Sequence, residues 1–331
     1  MALLEVKDLS VEFHTDEGIV RAVDHVSYDL QEGEILGIVG ESGSGKSVSC
    51  LALMGLLPMP PARISSGEIL FQNKNLLKMS PAQMRSMRGK DISMIFQDPF
   101  TSLNPYLKIS TQLLEVLEIH STMTPTQARK RCLEVLEQLG IPEPDIRFDS
   151  YPHQLSGGLK QRMMIAMSLL LEPKILIADE PTTALDVTIQ AQILELLKEV
   201  NQKHGTSIIL ITHDMGVVAG LCERVQVMYG GRLAERGTTD DIFYHTKHPY
   251  TQGLLNSIPS LDVKPGSRLQ PIMGSPPDLT KMGDFCAFAA RCSRVQDTCK
   301  KERPRLESRA DGHYFECHFP LKEENREASR S

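Results

Sequence analysis

Short apolar runs that alternate with stretches of helical spacing organise most of this chain. Residues 35–40 form an apolar run that ends in glycine, and residues 46–57 continue with apolar positions at helical spacing, so a strand, a loop and a helix are expected. Further strands are predicted at 92–97, 175–179, 207–212 and 225–229, and helices at 106–119, 125–139, 158–171 and 188–203. This order predicts an α/β fold with a largely parallel sheet wrapped by helices.

Two other regions have different patterns. Residues 3–13 and 26–30 alternate apolar and polar side chains, which predicts a half-exposed antiparallel sheet near the start of the chain. From about residue 259 the chain is rich in proline and glycine, and the alternation of strand and helix stops. We therefore expect one domain over 1–258 and a second over 259–331.

Composition and charge exclude several classes of protein. The chain has 331 residues, of which 41% are hydrophobic and 24% charged, and this predicts a folded protein with more than one domain. Its 36 Lys and Arg against 42 Asp and Glu give no basic surplus, so no nucleic-acid partner is expected. Charges at Glu5, Lys7 and Asp8 argue against a secretory leader, and no apolar run approaches the ~20 residues of a membrane span.

The loop after the first predicted strand contains a phosphate-binding motif. Residues 40–47, GESGSGKS, match G-x-x-x-x-G-K-[ST] in the strand–loop–helix context that this motif requires. Backbone N–H groups and the helix N-terminus would surround phosphates, Lys46 would neutralise their charge, and Ser47 would offer an oxygen to Mg²⁺. The predicted ATP-binding residues here are Gly40, Glu41, Ser42, Gly43, Ser44, Gly45, Lys46, Ser47 and Val48.

Two adjacent carboxylates end the predicted strand at 175–179. Parallel α/β sheets gather their ligands at this end of the strands. We expect Asp179 to join the Mg²⁺ shell and Glu180 to position or deprotonate the attacking water.

Residues 155–158 read LSGG, and with this motif the chain resembles the ATP-binding cassette (ABC) family of transporter ATPases. Ser156, Gly157 and Gly158 at a helix start form an anion site, which in this family closes on the γ-phosphate held by the other cassette. Leu159 replaces the glutamine usual in this signature, and Gln161 follows; Gln161 is expected to bind nucleotide together with Ser156, Gly157 and Gly158. The resemblance implies a phosphate-loop NTPase with a RecA-like core, an antiparallel β subdomain, a helical signature subdomain at about 98–165 and a small C-terminal extension.

The resemblance implies roles for further residues. Gln97 matches the Q-loop glutamine that reaches Mg²⁺ and water, Asp186 matches the D-loop, and His213 matches the switch histidine that contacts the γ-phosphate. Catalytic roles are therefore expected for Glu180, His213 and Gln97. Phe13 is the candidate for stacking on adenine; Tyr28, a turn at Val20–Arg21 and a plain core position for Phe13 are the alternatives.

The C-terminal part is similar to the oligopeptide and dipeptide importer ATPases. HPYT at 248–251 and the Pro-rich stretch after it carry this likeness, which extends over about 3–320. It implies an ATPase at the cytoplasmic face of the membrane, with two membrane permease subunits, a second, paralogous ATPase and an extracytoplasmic peptide-binding protein as partners. Nickel, glutathione or antimicrobial peptides are alternative cargoes, and an exporter cassette or a soluble cassette ATPase acting on nucleic acid or ribosomes are alternative functions.

Four of the seven cysteines lie close together in the C-terminal sequence, at Cys286, Cys292, Cys299 and Cys317. Their spacing differs from the C-x₂-C of zinc sites, and a sulfur-rich cluster in a reducing compartment holds iron–sulfur or zinc. The resemblance favours a [4Fe–4S] cluster, whereas zinc with His313 or His318, or thiols without a ligand, are the alternatives. Cys50, Cys132 and Cys222 fall in helical patterns and are expected to be buried packing residues.

Overall fold

The computed structural model describes residues 2–97, 102–183, 186–258, 272–308 and 312–322. Its strands are β1 (Leu4–Thr15), β2 (Gly18–Leu30), β3 (Ile35–Val39), β4 (Ala62–Phe71), β5 (Lys74–Asn75), β6 (Ile92–Ile95), β7 (Ile175–Asp179), β8 (Ser207–Thr212), β9 (Arg224–Tyr229), β10 (Arg232–Thr238), β11 (Glu307–Ser308) and β12 (Tyr314–Phe315). Its α-helices are α1 (Lys46–Leu53), α2 (Pro81–Met87), α3 (Ile109–His120), α4 (Pro125–Gln138), α5 (Pro144–Phe148), α6 (Gly157–Leu169), α7 (Val187–His204), α8 (Met215–Leu221), α9 (Thr239–Tyr244) and α10 (Pro249–Asn256). Short 3₁₀ turns lie at Leu76–Lys78, Pro152–Gln154, Leu279–Lys281 and Asp297–Lys300.

The chain divides into two compact units, each with its own core. The first comprises residues 31–34 and 78–211. The second comprises residues 2–30, 35–77 and 212–331.

The first unit contains three parallel strands in the order β6, β7, β8. All five residues of β7 are buried, as expected for a central parallel strand covered on both faces. Helices α3, α4 and α6 pack on one another, and their contacts bury Leu113, Leu136 and Met163 completely. Helix α4 begins with a capping box in which Thr124 and Gln127 satisfy each other's backbone N–H groups, an arrangement that contributes about 1 kcal/mol.

The second unit contains an antiparallel sheet in the order β2, β1, β4, β5. Among its other strands, β3 lies parallel to β9, and β10 lies antiparallel to β9 and to β12. Strand β3 is buried at every position, so the loop that follows it leaves from the core of the unit. Helix α1 then buries Cys50, Ala52 and Leu53.

The predicted α/β class is confirmed, and the long helices begin and end within about three residues of the predicted bounds. The helix predicted at 46–57 ends earlier, at Leu53. The prediction of a turn at Val20–Arg21, one of the alternatives for the adenine contact, is wrong, because both residues lie inside β2. Strand β4 was not expected, although it pairs with β1 along much of its length. The predicted domain boundary near 259 lies outside the described residues.

Within the described ranges, no helix is long and apolar enough to cross a lipid bilayer.

Candidate functional site

The predicted phosphate loop of the second unit runs from the end of β3 to the start of α1. Gly40 has a φ of 153° and Gly45 a φ of 97°, both in the region that favours glycine. A Cβ at Gly40 would collide with the backbone oxygen of Met228, and one at Gly45 with that of Ala22. The two glycines therefore let the loop pack directly against neighbouring backbone.

Lys46 places its ammonium among the oxygens of this loop. Its Nζ donates to Gly40 O at 2.7 Å, to Glu41 O at 2.9 Å and to Ser44 Oγ at 3.3 Å, and the residue is only 5% exposed. The loop thus holds a buried cation at the N-terminus of α1, where the helix dipole also favours an anion. Ser47 and Val48 are half-buried in the first turn of the helix, while Ser42 and Gly43 are exposed.

In the first unit, Gln97 and Glu180 lie together although 83 residues separate them in sequence. Gln97 follows β6, Glu180 follows the neighbouring strand β7, and the Gln97 Nε2 donates to Glu180 Oε2 at 2.9 Å. Asp179, the last residue of β7, is 6% exposed. The structure therefore joins two of the three predicted catalytic residues, Gln97 and Glu180, and Asp179 directly precedes Glu180 in the chain.

Glu180 has a backbone conformation that the sequence did not indicate. Its φ of 45° is uncommon for a residue with a side chain and costs on the order of 1 kcal/mol or more. Its N–H donates to Ile211 O at 2.9 Å, and its Oε2 also accepts a hydrogen bond from Thr183 Oγ1 at 2.9 Å. Backbone and side-chain bonds together fix the direction of the carboxylate, and Thr183 is a site residue that sequence reasoning missed.

The signature residues begin helix α6. The Ser156 Oγ caps the helix by accepting from Leu159 N at 3.4 Å, and Ser156 is exposed while Gly157 and Gly158 are half-buried. A Cβ on Gly158 would approach Ile189 of α7 at 3.0 Å, so a glycine suits this close contact. Gln161 is 1% exposed, and its Nε2 donates to Pro181 O at 2.6 Å. Pro181 is the residue that follows Glu180 in the chain. That bond gives Gln161 a structural role, and its binding to nucleotide stays a prediction.

Two further predicted residues, Asp186 and His213, lie at the starts of helices or the ends of strands. Asp186 is exposed and caps α7 by accepting from Ile189 N at 2.9 Å, while Ala184 and Leu185 beside it lie outside the described residues. In the second unit, His213 is exposed directly after β8. Its neighbour Asp214 caps α8.

Among the aromatic candidates for stacking on adenine, Phe13 is half-buried in β1, opposite Val20 of β2 and Ala62 of β4. Tyr28 is 3% exposed, and burial raises the pKa of its hydroxyl well above the usual value. A side chain this enclosed cannot offer a ring face to a base, so the structure removes Tyr28 from the alternatives.

The four C-terminal cysteines, at positions 286, 292, 299 and 317, line one small cavity, named here the thiol cavity, together with His248, Phe288 and His318. Burial raises the pKa of Cys286 to about 11 and that of Cys317 to about 12. In the part of the chain that the structure describes, no three His, Cys, Asp or Glu side chains converge on a point where one metal ion could bind. His313 is not among the residues that line the cavity, and its Nε2 lies 2.7 Å from Glu235 Oε1. Cys50, Cys132 and Cys222 are buried, as predicted.

The glycine-rich loop with its buried lysine, in an α/β fold that also has an LSGG helix, defines a phosphate-loop protein of the ABC ATPase class. Two family models match it: ABC transporter at residues 23–183, and Oligopeptide/dipeptide transporter, C-terminal region, at residues 234–299. The chain belongs to the family of ABC transporter ATP-binding proteins, which are ATPases coupled to transport, in its oligopeptide and dipeptide branch.

Individual relatives match along almost the whole chain. The dipeptide transport ATP-binding protein DppD of Bacillus subtilis is 54% identical, covering 95% of this chain and 94% of that protein. The oligopeptide transport ATP-binding protein OppD of the same organism is 53% identical over 94% and 87% of the two chains. The DppD of Escherichia coli is 46% identical over 98% and 99%.

Solved structures confirm the cassette fold. A dimeric ATP-binding cassette, MJ0796, solved with ADP and Pi, has a TM-score of 0.64 and 29% identity, covering 71% of this chain and 98% of its own. CbiO1 of Clostridium perfringens, part of the CbiONQ transporter complex, has a TM-score of 0.62 and 31% identity over 73% and 90% of the two chains.

Proposed function

We propose that this protein is the ATP-hydrolysing subunit that powers import of dipeptides or oligopeptides through an ABC permease. The observation that carries the proposal is the likeness to DppD and OppD proteins at 46–54% identity over nearly the full chain, C-terminal region included. The charge balance, with no surplus of Lys and Arg, argues against the alternative of a nucleic-acid-directed cassette.

The residues of each unit receive separate roles in this proposal. In the second unit, the phosphate loop and Lys46 bind the phosphates of ATP, and His213 contacts the γ-phosphate. In the first unit, Glu180 orients or deprotonates the attacking water, and the hydrogen bond from Gln97 together with that from Thr183 holds its carboxylate in place.

Ser47, Asp179 and Gln97 are the proposed ligands of Mg²⁺. Hydroxyl, carboxylate and amide oxygens are the hard ligands that this ion prefers. When bound, Mg²⁺ would neutralise charge on the phosphates. Phe13 is proposed to stack on the adenine.

The protein is proposed to work as one of two cassettes. Ser156, Gly157, Gly158, Gln161 and Asp186 would complete the ATP site of a second, paralogous ATPase, and that ATPase would complete the site of this chain. The dimeric structure of the related cassette MJ0796 supports pairing. Two permease subunits and an extracytoplasmic peptide-binding protein complete the proposed machine, which places this subunit peripherally at the cytoplasmic face of the membrane.

Reconstitution tests the transport function. We expect the chain, assembled in liposomes with its permease subunits and partner ATPase, to hydrolyse ATP several-fold faster when dipeptide-loaded binding protein is added. The control is the same binding protein without peptide. Stimulation by nickel or glutathione in place of peptides would overturn the proposed cargo. A strain that lacks this chain and still takes up peptides would overturn the assignment to import.

We further propose that the thiol cavity holds a [4Fe–4S] cluster. Four cysteines line this one cavity, which matches the ligand number of the cluster. Each thiolate of such a cluster binds a different iron, so the sulfur atoms need not converge as they must on a single ion. When bound, the cluster would supply a one-electron redox centre. Because the raised thiol pKa values keep Cys286 and Cys317 protonated at pH 7, ligation must release protons and should weaken as the pH falls.

Cys292→Ser is expected to remove most of the bound iron. Wild-type protein purified without oxygen should contain about four iron and four sulfide per chain, measured chemically and by visible absorption. Cys222→Ser is the control, because Cys222 is a buried thiol outside the cavity. Stoichiometric zinc, or neither metal, in the wild-type protein would contradict the cluster.

A further inference from the structure

Glu41, the second residue of the phosphate loop, is held at both its backbone and its side chain by the C-terminal part of the chain. Its N–H donates to the hydroxyl of Tyr250 in α10 at 2.9 Å. Its two carboxylate oxygens accept from Nη1 and Nη2 of Arg291 at 2.5 and 2.9 Å. The carboxylate and the guanidinium therefore form a bidentate pair, which is the strong form of such an interaction.

Arg291 is fixed in place independently of Glu41. Its side chain is only 5% exposed, its Nε donates to Met273 O at 3.0 Å, and its Nη2 donates to Ile272 O at 3.2 Å. Its Nη1 lies 3.2 Å from the hydroxyl of Tyr229, at the end of β9. These partners orient the guanidinium without any contribution from Glu41, so the arginine is a rigid partner for the Glu41 carboxylate.

Tyr250 is equally immobile. It is completely buried, and its ring centroid lies 4.4 Å from the ring centroid of Tyr229 and 5.4 Å from that of Phe288. The Nδ1 of His248 accepts from Tyr250 N at 3.1 Å and caps the helix that carries the tyrosine. The hydroxyl that accepts the Glu41 N–H thus has a fixed position.

The charge of Glu41 explains why such a support matters. A phosphate loop must enclose a polyanion, and a carboxylate inside it repels phosphates strongly where solvent is excluded. A carboxylate without Arg291 would also compete for the ammonium of Lys46, which already donates to the backbone oxygen of Glu41. Pairing with Arg291 neutralises the carboxylate and keeps it away from the lysine.

We propose that Arg291 and Tyr250 are positioning residues for ATP binding, which set the conformation and the charge of the phosphate loop through Glu41. The proposal rests on the phosphate-binding role given above to the loop. It assumes nothing about the cargo or about iron in the thiol cavity. It gives the C-terminal region a direct part in nucleotide affinity.

The test is a double-mutant cycle on the full-length chain, read by titration with a fluorescent ATP analogue and Mg²⁺. Arg291→Gln leaves the Glu41 carboxylate uncompensated and is expected to weaken binding about tenfold. Glu41→Gln alone changes a residue of the loop itself and is expected to weaken binding about threefold, less than Arg291→Gln does, because it leaves no uncompensated charge. Adding Glu41→Gln to Arg291→Gln is expected to return the affinity to that of Glu41→Gln alone. In steady-state hydrolysis the loss should appear in KM for ATP and leave kcat unchanged.

Controls separate positioning from loss of folding. Arg224→Gln removes a similar pair with Asp29, at the other end of β9, and is expected to leave ATP affinity unchanged. Tyr250→Phe removes only the acceptor of the Glu41 N–H and should weaken binding a few-fold, and thermal unfolding of every variant checks the fold.

Two results would overturn the proposal: wild-type affinity in Arg291→Gln, or a double variant as weak as Arg291→Gln alone. If Lys46→Ala also binds like wild type, the phosphate-binding role of the loop fails. If Lys46→Ala loses binding and Arg291→Gln does not, only the positioning role fails.

Discussion

Glu180→Gln is expected to bind ATP as wild type does and to hydrolyse it about 10²–10⁴-fold more slowly, the usual range for loss of a general base. Glutamine keeps the shape of the side chain and one oxygen that can accept from Gln97 and Thr183. It loses the negative charge that would draw a proton from water. The change therefore isolates the chemical step, and it is measured by steady-state phosphate release beside equilibrium ATP binding.

Glu172→Gln is the matched control for this variant. Glu172 belongs to the same unit and has a left-handed φ of 51°, close to the 45° of Glu180. Its carboxylate is exposed and pairs with Arg131 at 2.8 Å, and Glu172 precedes β7 whereas Glu180 follows it. Hydrolysis by Glu172→Gln should equal that of wild type. Equal turnover in Glu180→Gln and wild type would remove Glu180 from the catalytic role.

Local sequence patterns predicted much of the candidate site. The phosphate loop, the strand that ends in Asp179 and the LSGG helix each depend on a few consecutive residues whose conformation follows from glycine content, apolar runs and capping. The structure places each in its expected context, with Gly45 directly before α1 and Ser156 as the cap of α6. Such motifs are readable because their physical causes are short in range.

The sequence could not indicate how the backbone turns at Glu180. Nothing in the residue type favours a positive φ there, and the conformation is sustained by the bond from its N–H to Ile211 O, which belongs to a neighbouring strand. The same limit applies to Gln161. Its position after the signature predicted a part in nucleotide binding and gave no sign that packing buries it against Pro181.

Contacts between distant segments were also beyond sequence reasoning. Arg291 and Glu41 are 250 residues apart, and each alone reads as an ordinary charged residue beside a motif. Strand β4 was missed for a similar reason. Its sequence, ARISSGEILF, alternates only weakly, and its conformation is decided by pairing with β1, whose partner residues lie 49–67 positions away in the chain.

Lys46→Ala is expected to weaken ATP binding by about hundredfold, which corresponds to about 3 kcal/mol, the size of one to two charge-assisted hydrogen bonds. Lys46 is 5% exposed, and its ammonium lies within hydrogen-bond distance of three loop oxygens, Gly40 O, Glu41 O and Ser44 Oγ. Its removal therefore takes the cation from the loop and leaves those oxygens with fewer donors. Both effects oppose the approach of phosphates.

Lys74→Ala makes the same change of charge at an exposed position of β5 in the same unit, and it should bind ATP as wild type does. Titration with a fluorescent ATP analogue compares the two variants, and thermal unfolding shows whether Lys46→Ala retains its fold. Comparison with Glu180→Gln completes the test. Loss of ATP binding in Lys46→Ala, beside loss of hydrolysis alone in Glu180→Gln, assigns phosphate binding to the second unit and water activation to the first. Retained ATP affinity in a folded Lys46→Ala protein would contradict the phosphate-loop assignment.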